Sequence, residues 1–394
     1  MTAVASAGAA AGIRLDRHEV AGAVGDVGVL VPIATALIVG NHLAPTAVLL
    51  PAGVLYLIAG VAYRLPVPVQ PLKAFGAVAI AKGLGSDVIA AGALLMGAVF
   101  LALGRAGLID LAARAFPRPL IRGVQLTVGL LFLSIAWGLV HSPPASFADR
   151  AGDPETLLFL GLTAAVVALT FRRRLISLLL VGAGLVVAVA RAGGALKLGP
   201  SALELPSLHA ATFWTAFVVL VIPQLPLTFA NSCIATSDAA RSYFGEAARR
   251  VRPGRLATSL GVANLLSGAI AGMPVCHGAG GMTAHRAFGA RTGGAPLAMG
   301  AALILVAFAL GAGLTALLAA FPLPILAGML AAAGLLHIGL LRDLTGIRPW
   351  AIALLIGVVG ILVNLAVALG VGLALWWAPA LVGRLRRRPA DAVA

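Results

Sequence analysis

The chain has 394 residues, of which 61% are hydrophobic and only 10% are charged. This composition excludes a soluble globular protein and indicates a chain that crosses a membrane many times as helices. The formal net charge is +15, but the basic residues lie in short loops between apolar segments and not on one stripe. Nucleic-acid binding is therefore not expected.

Fourteen apolar segments follow one another, seven in each half of the chain. They predict an all-α polytopic membrane protein, with residues 1–18 and 385–394 as tails, 19–195 as the first repeat and 212–384 as the second. The third and tenth are short, and the last two are expected to form a hairpin of half-length helices joined near Asn364. The predicted segments are 20–40, 44–63, 68–83, 86–104, 119–141, 155–171, 175–191, 212–234, 256–271, 275–290, 295–316, 323–340, 349–364 and 366–383.

The basic residues predict how the segments are oriented. If both termini are cytoplasmic, most of the 28 Lys and Arg residues lie on the cytoplasmic side. The basic residues then outside are Lys82, Arg150, Arg191 and Lys197, with Lys73 inside the membrane. The positive-inside rule favours this orientation, in the inner membrane of the cell. Cys233 and Cys276 lie in apolar surroundings and predict no disulfide.

The two halves resemble each other. FPRPLIRGV at 116–124 matches FPLPILAGM at 321–329 at an offset of 205, and Pro68 matches Pro274 at an offset of 206. The same offset places Asn231 and Ser232 opposite Gly25 and Asp26. Because seven spans is an odd number, the second half enters the membrane from the opposite side. The sequence therefore predicts an inverted repeat.

Two proline-broken polar clusters interrupt otherwise apolar segments at matching places. They read PVPVQPLKAF at 66–75 and GMPVCHGAGG at 272–281. Proline forces the backbone off the helical path, so a helix must restart after each cluster. A restarting helix exposes free N–H groups and the positive end of its dipole, which a membrane tolerates only around a cavity or a ligand. Such a pair indicates the binding site of a transporter.

Few charged residues lie within the predicted spans, and such residues are costly to bury there. Asp26 is a candidate proton carrier or site partner, with a structural ion pair as the alternative. Lys73 falls in the first turns of the restarting third helix, where it either attracts an anion or pairs with Asp26 or a carbonyl. Gln70 offers an amide at the break and is predicted to contact the ligand.

The second break carries His277, which is expected to begin the restarting tenth helix as an anion donor or a titrating group, with a satisfied interhelical hydrogen bond as the alternative. Gly278 and Gly280 are expected to clear space for a ligand against the backbone. His285 is interpreted as structural. In the eighth segment, Gln224 and Asn231 belong to a polar face that either lines the cavity or holds helices together.

At these residues the chain resembles the molybdate transporter family, a branch of the sulfate permease superfamily that lacks the cytoplasmic STAS domain. PVQPLK at 68–73, MPVCHGAGG at 273–281 and FGAR at 288–291 carry the resemblance, supported by GAVGDVG around Asp26 and PQLPLT from Pro223. Leu72 replaces the usual Met, and Val29 stands where Thr is common. The resemblance implies seven plus seven spans with a core and a gate domain, no cofactor, molybdate as substrate, and a possible homodimer.

We therefore expect a secondary transporter, and no enzyme, that imports molybdate by alternating access. Its expected partners are molybdate or a related oxyanion, protons, membrane lipids and possibly a second copy of the chain. Moving a dianion against an inside-negative potential costs roughly 2.3 kcal/mol per charge per 100 mV, which favours proton symport through Asp26 and His277. The alternatives are a sulfate or other oxyanion transporter, a nucleobase and proton symporter, an anion channel and an intramembrane enzyme. The substrate-binding residues expected are Gln70, Pro71, Lys73, Gln224, Asn231, Cys276, His277, Gly278 and Gly280.

Overall fold

The structure is a computed structural model that describes residues 12–114, 116–143, 147, 176–193 and 197–386. The described chain is almost entirely helical, as the apolar segments predict. Its only sheet within those ranges is a pair of two-residue strands. The sixth predicted segment, 155–171, lies outside the described residues, as do most of the two predicted tails.

The first half of the chain contains the following elements. A 3₁₀ turn at Val24–Asp26 joins the first two helices, and the strand β1 is Gln70–Pro71. The helices are α1 (Arg17–Ala23), α2 (Val27–Gly40), α3 (Pro45–Tyr63), α4 (Lys73–Ala81), α5 (Ser86–Arg105), α6 (Leu108–Ala113), α7 (Arg118–His141) and α8 (Ile176–Ala192).

The second half contains the strand β2 at Val275–Cys276. Two π-helical stretches, Phe217–Val221 and Thr228–Ala235, and 3₁₀ turns at Gly245–Arg250, Gly311–Gly313 and Gly339–Asp343 link its helices. The helices are α9 (Ala210–Ala216), α10 (Ile222–Leu227), α11 (Thr236–Phe244), α12 (Pro253–Ala269), α13 (Ala279–Phe288), α14 (Gly294–Leu310), α15 (Leu314–Ala319), α16 (Leu323–Ile338), α17 (Ile347–Leu362) and α18 (Leu365–Arg386).

Five helical stretches of the described chain are long and apolar enough to cross a membrane. The third and tenth segments are half-length, because α4 has 9 residues and α13 has 10. The predicted hairpin at the end of the chain is present between α17 and α18, although α18 has 22 residues and is not half-length. The eighth span runs from Ala210 to Phe244 through its π-helical stretches, and Gly245, with a φ of 55°, ends it.

The predicted inverted repeat is visible in the pairing of the two strands. β1 and β2 are antiparallel, with Gln70 opposite Cys276, and these two residues are 206 positions apart. The two half-helices also begin 206 positions apart, at Lys73 and Ala279. The repeat mates Gln70 and Cys276 therefore face each other, and the pseudo-two-fold axis passes between them.

The helices pack in two groups. In the first group, which we call the core group (α2 to α5 and α10 to α14), α3 packs against α14 and α5 against α12. In the second, the gate group (α7 and α16 to α18), α7 packs against α16 and α17, and α17 against α18. Glycine lets the helix backbones approach closely: a Cβ on Gly53 would lie 2.7 Å from Ile304, and a Cβ on Gly97 would lie 2.7 Å from the Leu265 nitrogen.

Candidate functional site

The two half-helices start beside each other at the centre of the fold. Leu72 and Gly278 are their N-cap residues, and both have extended backbones without a capping side chain of their own. Prolines 68, 71 and 274 keep the preceding residues out of a helix. Since the strands before the helices are antiparallel, the helices run in opposite directions from a shared start. Both positive dipole ends and their free N–H groups therefore meet at one place.

A buried carboxylate lies next to this place. Asp26 has no solvent exposure and accepts hydrogen bonds from Tyr56 at 2.6 Å, Gln70 at 2.6 Å and His285 at 3.0 Å. Three donors on one carboxylate satisfy both of its oxygens, which offsets the cost of burying it. The network ties the first span to the second, the third and the tenth.

Lys73 continues the same network. Its ammonium donates to Gln70 Oε1 at 2.7 Å and lies 5.7 Å from the centre of the Phe132 ring on α7. Only 4% of the residue is exposed. Lys73 is the first residue of α4, as the sequence predicts, but its contact with Asp26 runs through Gln70. A buried cation thus stands at the positive end of a half-helix, where it adds to the attraction for an anion.

His277 holds the break together. Its Nδ1 lies 2.8 Å from the Pro68 carbonyl oxygen, and its Nε2 lies 2.8 Å from the Ser259 hydroxyl. A carbonyl only accepts, so Nδ1 carries the hydrogen and Nε2 accepts from Ser259. The prediction that His277 begins the tenth helix is wrong by two residues, because the helix starts at Ala279. The extended β2 pairing continues up to Cys276 and delays the start.

The other predicted residues surround the break in different ways. Gln224 accepts from the Phe75 backbone N–H at 2.9 Å and donates to Thr228 at 2.9 Å, so it caps the half-helix α4. The Cys276 thiol donates to the Pro71 carbonyl at 3.6 Å. Asn231 is buried, and its side-chain oxygen has no hydrogen-bond partner among the described residues.

The glycines of the second break are already covered by side chains. A Cβ on Gly278 would overlap Gln70, and a Cβ on Gly281 would overlap both Asp26 and Gln70. A Cβ on Gly280 would lie 2.6 Å from the Phe132 ring. The expectation that Gly278 and Gly280 leave open space for a ligand is therefore wrong for this conformation. The polar network and the Phe132 ring of the gate group occupy that space.

A cavity of about 440 Å³ lies elsewhere, between the ends of α2 and α5 and the 201–204 loop. His42, Ser86 and Glu204 are among its lining residues, and its walls contain none of the predicted site residues.

Sequence reasoning missed two members of the Asp26 network, Tyr56 and His285. The only available signal was that both are polar groups inside apolar spans. The interpretation of His285 as merely structural left out its contact with Asp26.

The antiparallel half-helices, the inverted repeat and the buried cation define a membrane transporter of the core-and-gate type. The solved structures agree: the transmembrane domain of a cyanobacterium bicarbonate transporter, BicA, matches with a TM-score of 0.58 at 18% identity, over 89% of this chain and 97% of that one. Murine Solute Carrier 26 family member A9, an anion transporter in the inward-facing state, matches with a TM-score of 0.62 at 13% identity, over 93% and 68%. These likenesses confirm the predicted seven-plus-seven fold.

The chain belongs to the molybdate transporter family. The family described as "Molybdate transporter of MFS superfamily" matches residues 18–132 and 216–336. Molybdate transporter 2 of Arabidopsis thaliana is 30% identical over 360 residues, covering 80% of this chain and 77% of that protein. Molybdate transporter 1 of Chlamydomonas reinhardtii is 28% identical, covering 88% of each chain. The family is one of transporters and not of enzymes, and the predicted resemblance is confirmed.

Proposed function

We propose that this protein imports molybdate across the plasma membrane by alternating access and couples the import to protons. One observation supports the anionic substrate above all others: two half-helix N-termini meet at the Gln70 and Cys276 pair, with the Lys73 ammonium at one of them. Backbone N–H groups, two positive dipole ends and one ammonium suit a compact dianion better than a neutral solute. The names of the matching relatives specify molybdate among the anions.

The proposed binding residues are those of the two breaks and the helix that caps them. Gln70 and Lys73 would bind the anion through their side chains. The second break would bind it through the backbone N–H groups at the start of its helix. In the present conformation Gln70 is bonded to Asp26 and Lys73, so binding exchanges part of this network for the anion. The full proposed set is Gln70, Pro71, Lys73, Gln224, Asn231, Cys276, His277, Gly278 and Gly280.

Alternating access would arise from movement of the gate group against the core group. α13 packs against α16 and α7, and its first seven residues are buried. Ala77 of α4, by contrast, is exposed. With both termini in the cytoplasm, as the distribution of basic residues favours, α13 runs from the site towards the cytoplasm and α4 runs towards the outside. Each of the two moving groups would combine helices from both repeats, 19–195 and 212–384.

Proton coupling follows from the energetics of moving a dianion. Import against 100 mV costs roughly 4.6 kcal/mol for two charges, and each co-transported proton removes half of the charge. The candidate groups are Asp26 and His277, both fully buried at the break. The contacts favour Asp26, because both ring nitrogens of His277 already make hydrogen bonds, one with the Pro68 carbonyl and one with the Ser259 hydroxyl.

The test is uptake of radiolabelled molybdate by purified protein in proteoliposomes, with wild type beside Gln70→Ala, Lys73→Ala and His277→Ala. We expect saturable uptake that an inward proton gradient stimulates, and a loss of at least about tenfold for Lys73→Ala. Equal uptake by all four proteins would refute the site, and uptake that ignores the gradient would refute the coupling.

Competition separates the remaining candidates. Sulfate, tungstate and uracil are added to the same assay, since a sulfate or other oxyanion transporter and a nucleobase symporter would each show a different order of inhibition. Acceleration of uptake by molybdate on the opposite side distinguishes a carrier from an anion channel. The mass of the purified protein in lipid nanodiscs tests the proposed homodimer.

A further inference from the structure

His285 is placed to accept a proton. It lies on α13 with no solvent exposure, and its Nε2 is 3.0 Å from Asp26 Oδ2. Its other ring nitrogen, Nδ1, is buried and has no hydrogen-bond partner among the described residues. An unpaired buried polar atom is costly, so a group retained in this state needs a reason beyond packing.

The neighbours of Asp26 determine which nitrogen carries the hydrogen. Tyr56 and Gln70 both donate to the carboxylate, and an ionised carboxylate only accepts. His285 therefore also donates, through Nε2–H. In the neutral imidazole the remaining nitrogen then holds a lone pair. Nδ1 is therefore the atom of this network that can accept a proton.

We propose that His285, paired with Asp26, is the residue that carries the coupled proton. A proton from water binds the Nδ1 lone pair, and the resulting imidazolium stays hydrogen-bonded to the Asp26 carboxylate through Nε2. When the site opens to the other side, the same Nδ1–H bond breaks and the proton returns to water. The inference rests on the proposed proton-coupled transport and replaces His277 with His285 in the coupling step.

The charge balance explains why this proton would help an anion to bind. Asp26 and Lys73 are joined through Gln70 and together carry no net charge. A proton on His285 makes the group positive by one unit, next to the two half-helix N-termini. A dianion then binds to a site with three sources of positive potential: the ammonium, the dipole ends and the imidazolium.

The hydrogen bond of the His285 ring is to Asp26. Other titratable or charged groups lie on α13 and on the elements around it. Tyr56 approaches the ring with its centroid at 6.2 Å. The groups on these elements are Arg286 of α13 itself, Arg17, His18 and Glu19 of α1, Asp26 of the following turn, Lys73 of α4, Arg118, Arg122 and His141 of α7, Cys233 of the π-helical stretch, Asp238, Arg241 and Tyr243 of α11, Cys276 of β2 and His337 of α16.

The decisive variant is His285→Gln, because the glutamine amide still donates to Asp26 and does not titrate. Two assays are run on the full-length protein in proteoliposomes: proton entry reported by an internal pH dye when molybdate is added, and exchange of internal for external labelled molybdate. His18→Gln is the matched control, since His18 is an exposed histidine on α1. His285→Asn serves as the second variant if the first gives no folded protein.

In wild type and His18→Gln we expect proton entry with molybdate, and up to about tenfold greater accumulation per pH unit for one coupled proton. In His285→Gln we expect molybdate exchange to persist with a raised KM, because the imidazolium charge is missing, and we expect no proton entry and no effect of the gradient. Proton entry equal to wild type in the variant overturns the inference, and so does loss of exchange together with coupling. Wild type without proton entry refutes the proposed coupling itself.

Discussion

Arg122 of the gate group forms an ion pair with Asp238 of the core group. Arg122 lies in the first turns of α7, and only 1% of its side chain is exposed. It also pairs with Asp343 and donates to Gln125 at 2.8 Å. Asp343 and Gln125 lie with Arg122 on the gate side, whereas Asp238 lies on α11. A movement of the gate group away from the core group at this end must break the Arg122 to Asp238 pair.

We expect Asp238→Asn to favour the conformation that is open at the α13 end. A hydrogen bond to a charged group is worth about 1.5–3 kcal/mol, and Arg122 keeps its gate-side partners, so a shift of roughly tenfold in the conformational equilibrium is expected. Cys276 reports the opening, because it is 2% exposed in this structure. In a Cys233→Ser background, its labelling by a maleimide should accelerate by that factor.

Glu246→Gln is the control for this experiment, since Glu246 is exposed on the segment that follows α11. It removes the same charge without touching Arg122. An unchanged labelling rate for Asp238→Asn, or an equal rise for both variants, would show that the ion pair does not hold this end closed.

The second ion pair of Arg122 predicts a pH dependence of stability. Asp343 lies in the turn after α16, outside the predicted spans, and its hydrogen bond from the Arg122 guanidinium holds the pKa of its carboxyl below the ordinary 3.8. A carboxyl with a lowered pKa contributes stability above its ordinary pKa and loses it as the pH falls through the lowered value. Asp343→Asn should therefore melt below wild type at neutral pH, and the two midpoints should converge below about pH 4.

Scanning fluorimetry across the pH range measures both midpoints. Because 42% of the Asp343 side chain is exposed, the difference at neutral pH should be small. A difference that grows on acidification would have the wrong sign for this ion pair.

Much of the site could be predicted because it depends on local chemistry. The prolines at 68, 71 and 274 break the backbone wherever the fold places them, and the 206-residue offset relates the two breaks without any contact. Partners from distant spans could not be predicted. Tyr56 and His285 reach Asp26 from helices whose rotation about their own axes is set by packing. The apolar helix α3, which carries Tyr56, has too little periodicity to indicate this rotation.

Gln224 illustrates the same limit. Its polarity marks it as a candidate ligand, but its role as a cap for the Phe75 N–H depends on the close packing of α10 against α4. Sequence identifies which residues are chemically able to act, and tertiary contact decides which of them already have a partner.

The glycines of the second break should not tolerate even a methyl group. A Cβ on Gly281 would overlap Asp26 and Gln70, which are held in place by hydrogen bonds and have no exposed surface into which to move. We expect Gly281→Ala to reduce molybdate uptake at least tenfold, with destabilisation of about 1–3 kcal/mol from overpacking.

Gly138→Ala is the matched control. Gly138 lies inside α7, and apart from the nearby backbone of α7 itself no atom lies within 4 Å of the position that a Cβ would take there. Alanine is favoured over glycine in a helix by about 1 kcal/mol. Uptake by this variant should equal that of wild type. Normal uptake by Gly281→Ala would mean that the network rearranges freely and does not define the site.

The cap on the first half-helix gives a prediction that separates folding from binding. Gln224→Leu removes the acceptor of the Phe75 N–H, which is buried in the first turn of α4. Leaving a buried donor unsatisfied costs about 1–3 kcal/mol, so the thermal midpoint should fall. Gln224→Glu keeps an acceptor at the same atom and should melt closer to wild type.

The glutamate variant adds a negative charge beside the N-terminus where the anion is proposed to bind. We therefore expect Gln224→Glu to raise the Kd for molybdate about tenfold or more, whereas Gln224→Leu should weaken binding less than it weakens folding. Titration calorimetry with molybdate, paired with thermal melts of the same samples, measures both effects. If Gln224→Glu bound molybdate as tightly as wild type, the anion would not lie at this end of α4, because a like charge at that distance must repel it.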